Sequence, residues 1–205
     1  MNTTAASRTR GTAPRARRLT PTDLALVAAF AALIAVCALL PALKVGAGLV
    51  PITLQTFGVL LTGALLGPWR GFLAVVLYIA VGAAGLAVLQ GPTAGYLLGF
   101  PLAAAMCGLL VSRLLPRRAT RAGVPLVFVA GLLSSALFIH TLGMAGLVWR
   151  ADMTWAQAWD VDKVFWIGDV IKNVCMALVA TAVHRAFPDL LRRSPARARR
   201  TPAAA

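Results

Sequence analysis

The chain reads as an all-α integral membrane protein with six transmembrane helices and both termini on the cytoplasmic side. Three observations lead there. Of 205 residues, 60% are hydrophobic, only 13% are charged, and glutamate is absent. The mean hydropathy is +0.81, and a water-soluble globule needs more polar surface than this. The apolar sequence divides into runs close to the ~20 residues that cross a bilayer core. The basic residues gather in the two tails and in alternate loops, the pattern that fixes membrane orientation.

Residues 1–22 and 188–205 are rich in Arg, Ala and Pro, without a periodic apolar pattern. They read as disordered, basic cytoplasmic tails around a membrane domain at residues 23–187. The first span is Asp23–Leu43, with Thr22 as its N-cap. Its run from Leu24 to Leu43 exceeds the roughly 7–15 residues of a signal-peptide core, so it reads as a retained helix. The second span, Thr53–Leu66, is short. The third is Gly71–Leu89, the fourth Ala94–Leu115, the fifth Val124–Trp149 and the sixth Val164–Phe187.

With both tails inside, the cytoplasmic side collects Arg8, Arg10, Arg15, Arg17, Arg18, Arg70, Arg113, Arg117, Arg118 and Arg121, then the cluster from Arg185 to Arg200. Of the 20 basic residues only Lys44, Arg150, Lys163 and Lys172 fall on or toward the outer side. An odd number of spans would split the Arg-rich tails across the membrane, against the positive-inside bias. The net charge of +14 therefore reads as topogenic. A nucleic-acid reader would carry its basic residues on a folded face, interleaved with aromatics, and no such face is evident.

The outer loop Arg150–Lys163 differs from the inner ones. It holds Asp152, Asp160 and Asp162, with Trp155 and Trp159 inside it and Trp149 beside it. It reads either as an amphipathic stretch on the outer surface or as a lid over a site; indole rings suit both. Cys37, Cys107 and Cys175 have no metal-like spacing and read as small buried hydrophobes. His184 reads as facing the interface. His140, in the fifth span, reads as a core histidine or a cavity residue, the core being favoured. No metal or cofactor site is expected.

The polar positions converge on the outer half. Thr53 and Gln55 open the second span, Gly91-Pro92-Thr93-Ala94-Gly95-Tyr96 opens the fourth, and Asp169 and Lys172 lie one turn into the sixth. Charges within a span are costly and face a cavity, a partner or a ligand. Asp169 and Lys172, spaced i,i+3, share a helix face. They either neutralise one another as a structural pair or offer a ligand both an acceptor and a cationic donor. Gln55 adds an amide that donates and accepts, and Thr53 and Thr93 add hydroxyls. Gly91 and Gly95 let backbone approach a ligand closely or form a turn. Ala28, Ala32 and Ala35 put small residues on one face of the first span, which suits internal packing or docking of another membrane helix. There is no Walker A sequence, no zinc-protease motif and no catalytic set, so no enzyme is expected. If the protein pumps, the energy comes from a partner.

Four segments together resemble a known family: Val50-Pro51-Ile52-Thr53-Leu54-Gln55-Thr56, Gly67-Pro68-x-Arg70-Gly71, Gly91-Pro92-Thr93-x-Gly95-Tyr96-Leu97-Leu98-Gly99 and Gly168-Asp169-x-Ile171-Lys172. They are similar, in order, to the biotin-specific substrate-binding (S) component, BioY, of energy-coupling-factor (ECF) transporters. The resemblance covers residues 20–187. It implies six helices with cytoplasmic termini, a biotin site near the outer surface that includes Asp169, Lys172 and Tyr96, and multi-pass placement in the bacterial plasma membrane. It also implies a coupling transmembrane subunit meeting the Ala28, Ala32 and Ala35 face, with ATPase subunits behind it. The chain departs from the family pattern between the third and fourth spans. There Gly85-Leu86-Ala87-Val88-Leu89-Gln90 runs straight into Gly91-Pro92-Thr93, giving a shortened outer loop. Val164 and Ile167 also stand where prolines are usual before Gly168-Asp169. The other readings are an S component for another small vitamin, or a structural or assembly membrane protein built around an internal ion pair.

Overall fold

A computed structural model describes residues 19–40, 53–85, 91–115 and 123–187. Residues 1–18 of the N-terminal tail, the C-terminal tail at 188–205, Lys44, Val50–Ile52, residues 86–90 of the loop expected to be short and Arg117, Arg118 and Arg121 lie outside the described residues, whereas Pro21 and Thr22, expected in the tail, already belong to the first helix. The described chain is all-helical: α1 Pro21–Leu39, α2 Gln55–Gly85, α3 Ala94–Leu114, α4 Gly123–Ser134, a π-helical segment Ser135–His140, α5 Thr141–Arg150 and α6 Trp155–Ala186. Five continuous helices among the described residues are long and apolar enough to cross a bilayer, as expected of a multi-pass membrane protein.

α1 starts at a capping box, two residues before the expected cap. Thr20, not Thr22, is the N-cap: its hydroxyl accepts from the Asp23 N–H at 3.2 Å, while Asp23 accepts from the Thr20 N–H at 3.0 Å. Pro21 fits the first turn because its missing N–H would have no helical partner. The other Asp23 oxygen meets Arg70 Nη1 at 3.4 Å, which clips the start of α1 to the second half of α2.

α2 holds both the second and third expected spans, and it is not a straight rod. Gly67 has φ 78° and ψ −179°, a conformation essentially restricted to glycine. Pro68 follows and removes a helical N–H. The chain turns back there. Gln55 Nε2 donates to Tyr78 Oη at 2.5 Å across 23 residues, which a straight helix would hold about 34 Å apart. A side chain on Gly71 would meet the Gly63 backbone at 2.9 Å, so the two arms touch through glycines. Gly67→Ala is expected to cost about 1–3 kcal/mol. That should appear as a lower thermal unfolding midpoint of the detergent-purified chain; an unchanged midpoint would mean the turn tolerates a Cβ.

α3 is the central element. Ala103, Ala104 and Cys107 are fully buried, and the Gly63 backbone lies against Ala104. Gly95 and Gly99 carry α3 onto Gly146 and Phe138 of the following rod. Small residues let helices approach to backbone contact, and that contact replaces the hydrophobic drive that lipid removes.

Residues 123–150 form one rod interrupted by the π-helical turn. The extra residue in such a turn rotates the next helical segment by about 100° relative to a continued α-helix. α6 begins at Trp155, capped by Thr154 and Gln157, rather than at Val164. The expected loop Arg150–Lys163 is therefore mostly the opening turns of α6 and no separate lid. Its tryptophans are exposed, whereas Asp162 is fully buried. The face it occupies continues through Asp169, Asn173, Met176, Ala180 and His184, all buried. His184 is thus not interfacial; a ring nitrogen lies 2.9 Å from the Ala64 carbonyl. Cys37 and Cys107 are buried, but Cys175 is exposed. On α1, Val27, Ala31, Ile34 and Cys37 face inward, while Ala28 and Ala32 are exposed and Ala35 is half-buried.

Candidate functional site

The start of α2, the start of α3, the π-helical turn and the middle of α6 enclose a cavity of about 170 Å³. Its floor is apolar: Leu97 and Phe100 from α3, Ile139 from the π-helical turn, Phe165 from α6. Its polar wall carries Thr53, Gln55, Thr93, Tyr96, Asp169 and Lys172. Six of the seven positions singled out for a ligand in the sequence therefore line one space. Gly95 is the exception. A Cβ there would lie 2.8 Å from the Gly146 Cα, so the glycine serves the α3–α5 contact rather than the cavity.

The helix starts organise the near side. Thr53 accepts from the Gln55 N–H at 3.3 Å, which satisfies one orphan donor of the first turn of α2. The Gln55 amide then reaches the Tyr78 hydroxyl, joining the arms of α2 beside the cavity. Thr56 is one position further on. Its hydroxyl lies 3.1 Å from Asp169 Oδ1 and accepts from Lys172 Nζ at 3.0 Å.

Asp169 and Lys172 form the expected i,i+3 pair, Nζ to Oδ1 at 2.5 Å, with side chains 5% and 12% exposed. They face protein and cavity rather than the outside. The second oxygen of Asp169 is 3.2 Å from His140 Nε2. His140 Nδ1 lies 2.9 Å from both oxygens of Asp162. Asp162 also accepts from the Tyr96 hydroxyl at 2.9 Å and from the Trp166 indole N–H at 3.0 Å. The His140 and Trp166 rings stack with centroids 4.5 Å apart and planes 19° apart. One continuous chain of polar contacts thus runs from Lys172 through Asp169 and His140 to Asp162.

Sequence reasoning missed Thr56, Tyr78, Asp162 and Trp166, and it favoured the core for His140, which instead lines the cavity. A signal for Asp162 existed. It precedes Asp169 by seven residues, two helical turns, and Trp166 falls between them at i+4. Starting the sixth span at Val164 concealed it. Nothing in the sequence announces the π-helical turn that orients His140.

The arrangement suits a small, partly apolar ligand with a hydrogen-bonding head. It offers an apolar and aromatic slot, one cationic donor at Lys172, a carboxylate acceptor at Asp169, and hydroxyl and amide groups around the rim. Such a mostly apolar pocket with a few convergent polar groups is the usual form of a small-molecule site.

Known proteins resemble most of the chain. The BioY family matches residues 9–189. A biotin transporter BioY of Rhodobacter capsulatus is 36% identical, over 82% of this chain and 96% of that protein. Another from Rhizobium etli is 35% identical, over 86% of this chain and 98% of that one. The fold is similar to a crystal structure of the S-component for biotin from an ECF-type ABC transporter, with a TM-score of 0.73 at 24% identity, covering 82% of this chain and 95% of that structure.

Proposed function

The chain belongs to the BioY family, and from that membership we propose that it takes up biotin, as the S component of an ECF transporter in the bacterial plasma membrane. One observation carries the reading to the residues: Asp169 and Lys172 meet on the wall of a cavity whose remaining surface is largely apolar and aromatic. A cyclic urea bearing an apolar chain and a carboxylate matches that wall. Asp169 accepts from the ureido N–H groups, and Lys172 donates to the ligand's carboxylate or to the ureido carbonyl. Tyr96 and Phe165, with ring centroids 6.0 Å apart, form the wall for the fused rings. Thr53, Gln55 and Thr93 complete the rim.

The turn at Gly67 supports counting the arms of α2 separately, which gives six crossings with both tails cytoplasmic and the cavity toward the outside. No catalytic step is assigned. The exposed Ala28 and Ala32, with Ala35 beside them, form the face for the coupling transmembrane subunit, and ATPase subunits supply the energy.

Calorimetric titration of the detergent-purified chain with biotin, thiamine and riboflavin tests the reading. Biotin alone should give a saturable heat; a response to another vitamin instead would reassign the ligand. Lys172→Ala should weaken biotin by roughly tenfold or more, since a charge-assisted hydrogen bond contributes ~1.5–3 kcal/mol. Wild-type affinity in that variant would remove Lys172 from the site. Ala28→Leu with Ala32→Leu should leave purified-protein binding unchanged and cut biotin uptake by cells that supply the coupling module. Equal uptake would move the docking face elsewhere.

A further inference from the structure

We propose that His140 is a positioning residue for an acidic ligand: clamped between Asp162 and Asp169, it supplies the positive charge that frees Lys172 to leave Asp169 for a ligand carboxylate. The inference rests on the biotin reading and assigns Lys172 to the acidic tail.

Lys172 is already engaged within the protein. Its ammonium holds Asp169 Oδ1 at 2.5 Å and Thr56 at 3.0 Å. Turning toward a ligand carboxylate would strand the buried Asp169 if nothing else balanced it, and an unpaired buried charge is strongly unfavourable. Thr56 remains but is neutral. The other partner of Asp169 is His140, on the opposite oxygen at 3.2 Å.

The neighbours of the ring fix its protons. Asp162 is fully buried and takes the Trp166 indole N–H, which can only donate. It also faces the Tyr96 hydroxyl and His140 Nδ1, both at 2.9 Å. A carboxylate surrounded in this way accepts from all three, so Nδ1 carries a proton. A neutral ring protonated there would turn the Nε2 lone pair toward Asp169 Oδ2, acceptor against acceptor. The contact is made when Nε2 also carries a proton. The charged groups around the ring are then Asp162, Asp169 and Lys172, all from α6; α3 contributes Tyr96 and α2 contributes Thr56, both neutral. Two anions face two cations. Asp169 thus has a cation on each oxygen and can release one. Stacking on Trp166 at 4.5 Å fixes the ring plane and favours its cationic form.

Two measurements test this. The chain has two histidines, so ring-¹⁵N-labelled protein, assigned with a His184→Gln variant, reports His140 directly in the wild-type fold. Protons on both His140 nitrogens at neutral pH are expected; a ring with a single N–H would overturn the proposal, whatever the variants do. Calorimetry then compares biotin with its neutral amide in wild type and in His140→Gln, which keeps a donor but no charge. The variant should lose biotin on the order of tenfold, the scale of one charge-assisted hydrogen bond, and lose the amide far less. Equal losses for both ligands would reduce His140 to a structural part, and no loss would remove it. A wild type that ignores biotin would sink the biotin reading itself. That outcome is distinct from a wild type that binds biotin beside an indistinguishable His140→Gln, which would sink only the role of His140.

Discussion

Asp169→Ala is expected to abolish measurable biotin binding. The carboxylate is 3% exposed as a residue and is contacted by Lys172, Thr56 and His140. Removing it leaves the Lys172 ammonium without its anion on the cavity wall, and breaking one partner of a buried charge set costs about 3–5 kcal/mol. Spent wholly on affinity, that is roughly two to three and a half powers of ten. Part of the effect will fall on stability, so the thermal midpoint must be measured beside the titration. Asp169→Asn separates the two: it keeps size and one acceptor, should fold, and should still lose most of the affinity because Lys172 loses its anion. An Asn variant that binds biotin as well as wild type would remove the Asp169 carboxylate from ligand recognition.

Much of this site was legible because charges are rare in the chain. When only six acidic residues occur in 205, an aspartate and a lysine three apart in an apolar helix stand out, and helical periodicity alone puts them on one face. Thr53, Gln55, Thr93 and Tyr96, which line the cavity, stand where turn-forming prolines and glycines mark the beginning of spans. The errors have physical causes too. Hydropathy finds the part of a helix that lies in lipid, so it began α6 at Val164 and missed the nine preceding residues that are just as helical. Those turns carry Asp162, whose burial depends on α3 and the π-helical rod, neither of which a local window senses. Gly95 reads in the sequence as a close approach to a ligand or as a turn, when the neighbour it approaches is Gly146. His140 depends on a register shift set by packing. The fold itself was read more securely than these details, because lipid demands internally bonded backbone and leaves few alternatives to helices.

Asp162→Ala should damage the fold more than any other single aspartate change. Its two oxygens collect the Tyr96 hydroxyl, the Trp166 indole N–H and His140 Nδ1, donors from α3, α6 itself and the π-helical turn. Each buried donor left without an acceptor costs about 1–3 kcal/mol. Three together approach the whole 5–15 kcal/mol that holds a typical domain folded. The Ala variant is therefore expected to accumulate poorly or to unfold at a much lower temperature. Asp162→Asn, which keeps one acceptor but turns an amide toward a donor, should fall between Ala and wild type. Asp160 provides the control. It makes a shorter ion pair, 2.6 Å to Lys163, but with side chains 64% and 54% exposed. Exposed pairs contribute about 0–1 kcal/mol, so Asp160→Ala should leave the thermal midpoint nearly unchanged. If the two alanine variants unfold at the same temperature, the buried carboxylate is not the junction of the three elements. If the order is Asp160→Ala, then Asp162→Asn, then Asp162→Ala, burial and the number of donors served set the worth of each aspartate, and the shortness of its closest contact does not.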